Sequence, residues 1–134
     1  MLSESVETVI RFITSINNHN VDMIAELISD DHKFTDGLGN VFRGKEVMIK
    51  GWTNYLSMFP DYKIEVSQLI DEDSLTVLLG FASASFLGNR EGNPDCFWNL
   101  PAAWKAVAED GKIKLWQVFA DTKIPFEIIN KFSK

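Results

Sequence analysis

Residues 33–44, KFTDGLGNVFRG, place an aspartate, Asp36, directly before a glycine-rich stretch, and that carboxylate has two uses. It can bond the backbone N–H groups of a tight turn, which Gly37 and Gly39 favour. At the mouth of an apolar cavity the same group can serve as a general base. His32 lies four residues before Asp36, so on one strand the two side chains share a face. An imidazole titrates near neutrality, which makes His32 a candidate proton relay. The plainer expectation is a histidine that is hydrogen-bonded and half exposed at a strand edge. Asp30, Asp31, His32 and Asp36 together carry enough ligand atoms for a metal ion. The helix-end carboxylates are better explained as solvated groups, so neither a metal site nor a cofactor is expected.

The elements that must hold these groups can be read from the spacing of apolar residues. Val6, Val9, Ile10, Ile13 and Ile16 recur at helical spacing behind Ser3 or Ser5 as a cap, and Asn17-Asn18-His19-Asn20 ends that helix. Asn20 can cap a shorter second helix carrying Ile24, Leu27 and Ile28 and stopping near Asp30-Asp31, with a short strand at 32–35. Met48, Trp52, Tyr55, Leu56 and Phe59 share a face of a third helix, which Pro60 closes. From Tyr62 the period changes to two. Strands are expected over 63–70, 75–87, 97–108 and 112–121, with a polar loop at 88–95. The pair Asp110-Gly111 is a strong hairpin signal. Pro125 suits the first position of a short closing helix.

Helices first and antiparallel strands afterwards argue for an α+β fold with the helices on one face of a sheet. The chain has 134 residues, 46% of them hydrophobic, so a single domain over 1–134 is expected. A net charge of −6 without a Lys/Arg cluster argues against nucleic acid and anionic membranes as partners. Cys96 stands alone, so no internal disulfide or CxxC pair is possible, and it is expected to be a small buried hydrophobe. The N-terminal stretch MLSESVETVIRF lacks the pattern of a signal peptide, and no apolar run reaches membrane-spanning length; a cytoplasmic protein is expected.

The long strands do not alternate apolar with polar. Leu75, Val77, Leu79 and Phe81 oppose Leu78, Ala82, Ala84 and Phe86, while Trp116, Val118 and Ala120 oppose Leu115, Gln117 and Phe119. Helices can cover only one of these faces, so a homodimer through the outer face of the sheet is expected. Trp116, opposite in parity to Asp121, is assigned to that outer face.

Several segments resemble the nuclear transport factor 2-like superfamily, in its branch of SnoaL-like polyketide cyclases and ketosteroid isomerases. They are FITSINNHNVD at 12–22, AELISDDHKFTD at 25–36, FRGKE at 42–46, DGKI at 110–113 and WQVFAD at 116–121. The resemblance spans nearly the whole chain. It implies a cone-shaped, strongly curved, mostly antiparallel sheet, with three N-terminal helices packed on its concave face and a short C-terminal helix. The open end of the cone would hold a small apolar molecule. Asp36 matches the catalytic aspartate of the isomerases, whose oxyanion hole pairs a tyrosine with a protonated aspartic acid. Phe12 and Ala103 stand near those two positions and neither side chain can donate, so the steroid reaction itself is not expected. Asp121 resembles the acid/base of the cyclases. It closes a strand face carrying Leu115 and Phe119; if that face points inward, its carboxylate is partly desolvated and suited to acid/base work. Otherwise Asp121 caps the closing helix or pairs with Lys123.

Trp52, Tyr55, Phe59 and Trp104, with Phe12, Ile16 and Phe119, are the expected ligand-lining side chains, although helical spacing at 52, 55 and 59 also explains a plain core. Two functions follow as expectations. The first is cofactor-free isomerisation or cyclisation of a small apolar or aromatic carbonyl compound, using Asp121 and Asp36. The second is a non-catalytic domain that binds a hydrophobic ligand or serves dimerisation.

Overall fold

The computed structural model describes residues 2–88 and 92–132. Helix α1 (Glu4–Asn17) starts at Ser3, whose Oγ accepts the Val6 N–H at 3.2 Å and satisfies a donor that the first turn leaves without a partner. Val6, Val9, Phe12, Ile13 and Ile16 are buried, but Ile10 is 39% exposed. One residue past Val9 is a rotation of about 100°, which carries Ile10 off the inward stripe it was expected to join. Asn20 caps α2 (Val21–Leu27) by accepting the Met23 N–H. This helix ends earlier than the apolar spacing suggested. Ile28 opens strand β1 (Ile28–Thr35) because it pairs with Ile113 of a strand far along the chain, so Asp30 and Asp31 lie on the strand rather than at a helix end.

The glycine-rich stretch is the turn of a hairpin onto β2 (Val41–Arg43), a strand not expected from the sequence, which pairs Phe34 with Phe42. Helix α3 (Lys45–Met58) follows from Gly44, whose φ of 99° suits only glycine. Strands β3 (Lys63–Glu72), β4 (Leu75–Ser85), β5 (Phe97–Glu109) and β6 (Lys112–Ala120) come next, then α4 (Lys123–Phe132). Short 3₁₀ turns occupy Phe86–Gly88 and Pro94–Cys96, so β4 stops before Phe86, and residues 89–91 of the polar loop lie outside the described residues. Asp110 and Gly111 both take positive φ, 54° and 73°, which gives the tight turn its sequence promised. Helix α4 begins two residues before Pro125, because Asp121 Oδ1 accepts the Lys123 N–H at 3.0 Å.

The six strands form one sheet in the order β2-β1-β6-β5-β4-β3, antiparallel except for β1 beside β6. Register shifts between Val66 and Gln68 and between Val107 and Ala108 mark bulges, which bend and twist a sheet. Helices α1 to α3 pack on the concave side. The end of α1 is fastened to β3: Asn17 Nδ2 donates to the Ile64 carbonyl at 2.9 Å, and the Ile64 N–H donates to Asn17 Oδ1 at 2.8 Å. Trp104 and Trp116 stack at 6.4 Å, and Phe12 meets Trp116 edge-on at 4.9 Å. Trp116 therefore faces the core, not the outer side. Phe119 takes the opposite parity and is 50% exposed on the convex face, next to Ala103 of β5. Among the described residues no helix is long and apolar enough to cross a membrane.

Two glycines should answer to alanine with opposite signs. A Cβ on Gly80 would fall on the Glu65 carbonyl oxygen at the β3 bulge, whereas on Gly51, inside α3, it meets only Met48 Cε at 3.9 Å. Gly80→Ala is expected to lower stability by about 2 kcal/mol or more, and Gly51→Ala to raise it by about 0.5–1 kcal/mol. Urea unfolding midpoints measure both, and equal midpoints would contradict the packing described for Gly80.

Candidate functional site

The strand pairing accounts for where the cavity opens. β1 and β6 run parallel with Thr35 beside Gln117, so the segments that follow both strands emerge at the same end of the sheet. Asp36 and Asp121 stand one residue beyond their strands. The two rims touch: a Cβ on Gly37 would sit 2.6 Å from Thr122 Cγ2. Behind them lies a cavity of about 350 Å³, a size that suits a small organic molecule. Met48, Trp52 and Tyr55 of α3, with Phe59 just past its end, form one wall, and Phe34, Ala82, Trp98 and Val118 of the sheet form another. Pro125, Phe126 and Ile129 of α4 cover the side. The half-exposed Leu38, Phe42, Val47 and Phe126 mark the mouth.

The expected site residues divide into two groups. Asp36, Asp121, Trp52, Tyr55 and Phe59 do line this cavity. Phe12, Ile16, Trp104, Phe119 and His32 do not, and these five are corrections. Phe12, Ile16 and Trp104 are fully buried in the core, because α1 fills the other part of the concave face and leaves no void there. Phe119 points to the convex side, for the parity reason given above. Tyr62, Phe34, Phe42 and the α4 residues were not foreseen as lining. Phe34 stands two residues before Asp36 and could have been found from strand parity, whereas the placement of α4 has no local signal.

Asp36 is bound up in its turn. Oδ1 accepts the N–H groups of Leu38 and Asn40, both at 2.9 Å, and Oδ2 accepts from Asn40 Nδ2 at 3.2 Å. The turn chemistry is therefore present, with the carboxylate at the cavity mouth. Asp121 is exposed rather than desolvated, since β6 ends at Ala120 and releases it to the rim. Its Oδ1 takes the Lys123 N–H, while Lys123 Nζ lies 3.9 Å from Glu127. Among the described residues nothing bonds Asp121 Oδ2.

Tyr55 and Tyr62 place phenols in the wall, beside Trp52 and Trp98, whose indole N–H groups are buried without a partner. Tyr55 and Tyr62 meet edge-on at 5.1 Å, and burial pushes both phenols well above their ordinary value of 10.0. Both hydroxyls accordingly keep their protons at neutral pH and can donate. Neither Phe12 nor Ala103 can, and Ala103 sits beside the outward-facing Phe119. His32 is enclosed instead of half exposed. One ring nitrogen, Nδ1, lies 2.7 Å from the Ile113 carbonyl, so it carries the proton, and Nε2 is buried without a partner. Asp30 lies 3.7 Å from Lys45 and Asp31 lies 3.4 Å from Lys114. Among the described residues no three His, Cys, Asp or Glu side chains converge as metal ligands.

The family model of the SnoaL-like domain matches residues 9–116. No curated protein matches the chain in sequence. Solved structures match in fold. A proposed SnoaL-like polyketide cyclase from Shewanella putrefaciens superposes with a TM-score of 0.79 at 12% identity, covering 98% of this chain and 99% of its own. IdmH, a proposed polyketide cyclase from Streptomyces antibioticus, gives 0.75 at 16%, with 96% and 99% covered. An LEH-like epoxide hydrolase of M. tuberculosis gives 0.77 at 12%, with 96% and 90% covered.

Burial holds the His32 imidazole below its ordinary 6.5, outweighing the raising influence of the Ile113 carbonyl and of Asp31. The unfolded chain therefore takes up a proton at this residue before the folded chain does. Stability contributed by neutral His32 is complete above 6.5 and declines as pH falls below it. Between about pH 7 and about pH 5 the protein should lose stability with a slope of at most about 1.4 kcal/mol per pH unit from this group. In His32→Gln that part of the slope should vanish; unfolding curves with equal slopes for the two proteins would refute the assignment.

Proposed function

This chain belongs to the SnoaL-like domain family, and from that premise we propose that its cavity binds a small apolar or aromatic carbonyl compound and moves a proton on it. The supporting observation is an apolar chamber of about 350 Å³ whose only charged lining residues, among those described, are two carboxylates at its mouth. Asp121, with Oδ2 unbonded, acts as the acid/base. It takes a proton from carbon beside the carbonyl and returns it to the isomerised or cyclised product. Asp36, held by three donors, contributes charge and shapes the rim. The protonated hydroxyls of Tyr55 and Tyr62 are the donors available to an enolate oxygen. Two phenols offer less than a dedicated oxyanion hole, so the substrate carbon is one already made acidic by neighbouring carbonyl groups. The reaction draws on no cofactor, and a cytoplasmic setting fits a chain whose single cysteine is a buried free thiol.

A second reading, a binding domain without catalysis, draws on the turn bonds of Asp36, which leave Asp121 as the one carboxylate free to act. Exchange of the α-protons of aromatic ketones and polyketides in heavy water separates the two. The catalytic reading expects Asp121→Asn to slow exchange by about 100-fold or more and Asp36→Asn to slow it by less than about ten-fold, with ligand-induced thermal shifts kept in both variants. Thermal shifts without any exchange in the parent protein would establish the binding reading instead.

The convex face supports self-association. Ile70, Leu79, Phe81 and Phe119 are exposed there, and Leu79 and Phe119 flank Ala103 in register. A second copy is proposed to cover this stripe in a homodimer. Sedimentation at micromolar concentration should show a dimer that Phe81→Glu converts to monomer; a monomeric parent would remove the proposal.

A further inference from the structure

The charge pattern of the cavity carries more than its volume does. Among the described lining residues there is no Lys, Arg or His, while Asp36 and Asp121 both stand at the mouth. A ligand carboxylate or phosphate would enter without a partner, and an unpaired buried charge is strongly disfavoured. Lys45 and Lys123, which flank the rim in sequence, lie beside Asp30 at 3.7 Å and Glu127 at 3.9 Å, and neither lines the cavity. The rim itself is aromatic as well as acidic. Phe42 and Phe126 are 41% and 47% exposed there, and Phe34 lies 6.1 Å from Phe42. Deeper in, Tyr55, Phe59, Tyr62 and Trp98 continue the aromatic lining, with ring centroids 5.1–6.1 Å apart in the contacts that join them.

Aromatic rings beside carboxylates attract one kind of charged group. An ammonium gains from the ring quadrupole and from the carboxylates together, and its weakly hydrated methylated forms lose little on leaving water. Asp36 is well suited to this use for the same reason that it is poorly suited to proton transfer: its three turn bonds hold the charge in place. Asp121 lines the same mouth.

We propose that the ligand of this cavity is an amphipathic amine, its apolar carbonyl-bearing body in the aromatic chamber and its ammonium at the mouth between Asp36 and Asp121. The proposal rests on the reading of the cavity as the ligand site and adds the charge of the ligand and its direction of entry. The ammonium stays at the rim, where water and two carboxylates meet it. The carbonyl lies inward, within the chamber that holds Tyr55 and Tyr62.

A matched fluorescent series tests it: an acetylnaphthalene carrying, on its far ring, a trimethylammoniomethyl group, its neutral dimethylpropyl isostere, or a carboxymethyl group. The cation should bind about ten-fold more tightly than the isostere and the anion most weakly. Raising salt to about 0.5 M should weaken the cation alone. Asp36→Asn and Asp121→Asn should each shrink the cation's advantage, and the double variant should bring cation and isostere to within about two-fold of one another, with isostere affinity unchanged. The asparagine at 36 retains an oxygen acceptor for the turn, and the isostere reports whether the chamber is intact. If the isostere binds the parent as tightly as the cation, or the anion binds best, the amine assignment is overturned while the cavity reading stands. If no member of the series binds, both fall.

Discussion

The contact between Phe12 and Trp116 determines how the interior of this protein is divided. Phe12 stands midway along α1 and meets Trp116 at 4.9 Å, with Trp104 stacked behind it. These rings, with Val9, Ile16 and Ile113, close one part of the concave face completely. Interiors are packed as densely as organic crystals, so a void of several hundred Å³ survives only where no helix supplies side chains to fill it. Helix α1 fills its own region and ends at Asn17, which is bonded in both directions to Ile64. The remaining region is bounded by α3, α4 and the sheet, and it stays open.

The parallel pairing of β1 with β6 gives that open region its chemistry. An antiparallel neighbour would have sent the ends of the two strands to opposite sides of the sheet. Here both strands finish at one rim, so a carboxylate from residue 36 and another from residue 121 line one mouth although 85 positions separate them in sequence. The surroundings then assign different work to two identical side chains. Three donors fix Asp36, and one leaves Asp121 partly free. A fixed charge attracts and orients, while a free oxygen can exchange a proton. Under the proposed reading the same rim would hold a cation and act on the carbon skeleton behind it.

Aromatic content serves two ends in this chain, and its spacing does not separate them. Trp52 and Tyr55 on α3 and Phe59 at its C-cap follow at intervals that any buried helix would show, yet all three border the cavity. Trp104 and Trp116 carry the same kind of side chain and are wholly structural. His32 illustrates the opposite case. Its distance from Asp36 along the strand suggested a relay, but the ring is held against the Ile113 carbonyl inside the core and does not reach the cavity.

Local chemistry was legible in the order of residues because it depends on near neighbours. The caps at Ser3 and Asn20, the tight turn at Asp110-Gly111, the closure of α3 before Pro60 and the family likeness all rest on residues a few positions apart. Near neighbours therefore account for the α+β class, the presence of the helices and the starts of the strands from residue 63 onward. They also brought forward Asp36, Asp121 and three of the seven lining side chains expected. Packing settled which face of β6 turns inward, where α2 yields to β1, that residues 41–43 form a strand, and that α4 closes the chamber. Three of these depend on a partner far along the chain, Ile113 for Ile28, Phe12 for Trp116 and the 3₁₀ turns at 86–88 and 94–96 for α4, while the strand at 41–43 pairs with 33–35 across its own turn. Strand parity shows that two faces differ; only packing against another element shows which one is inside.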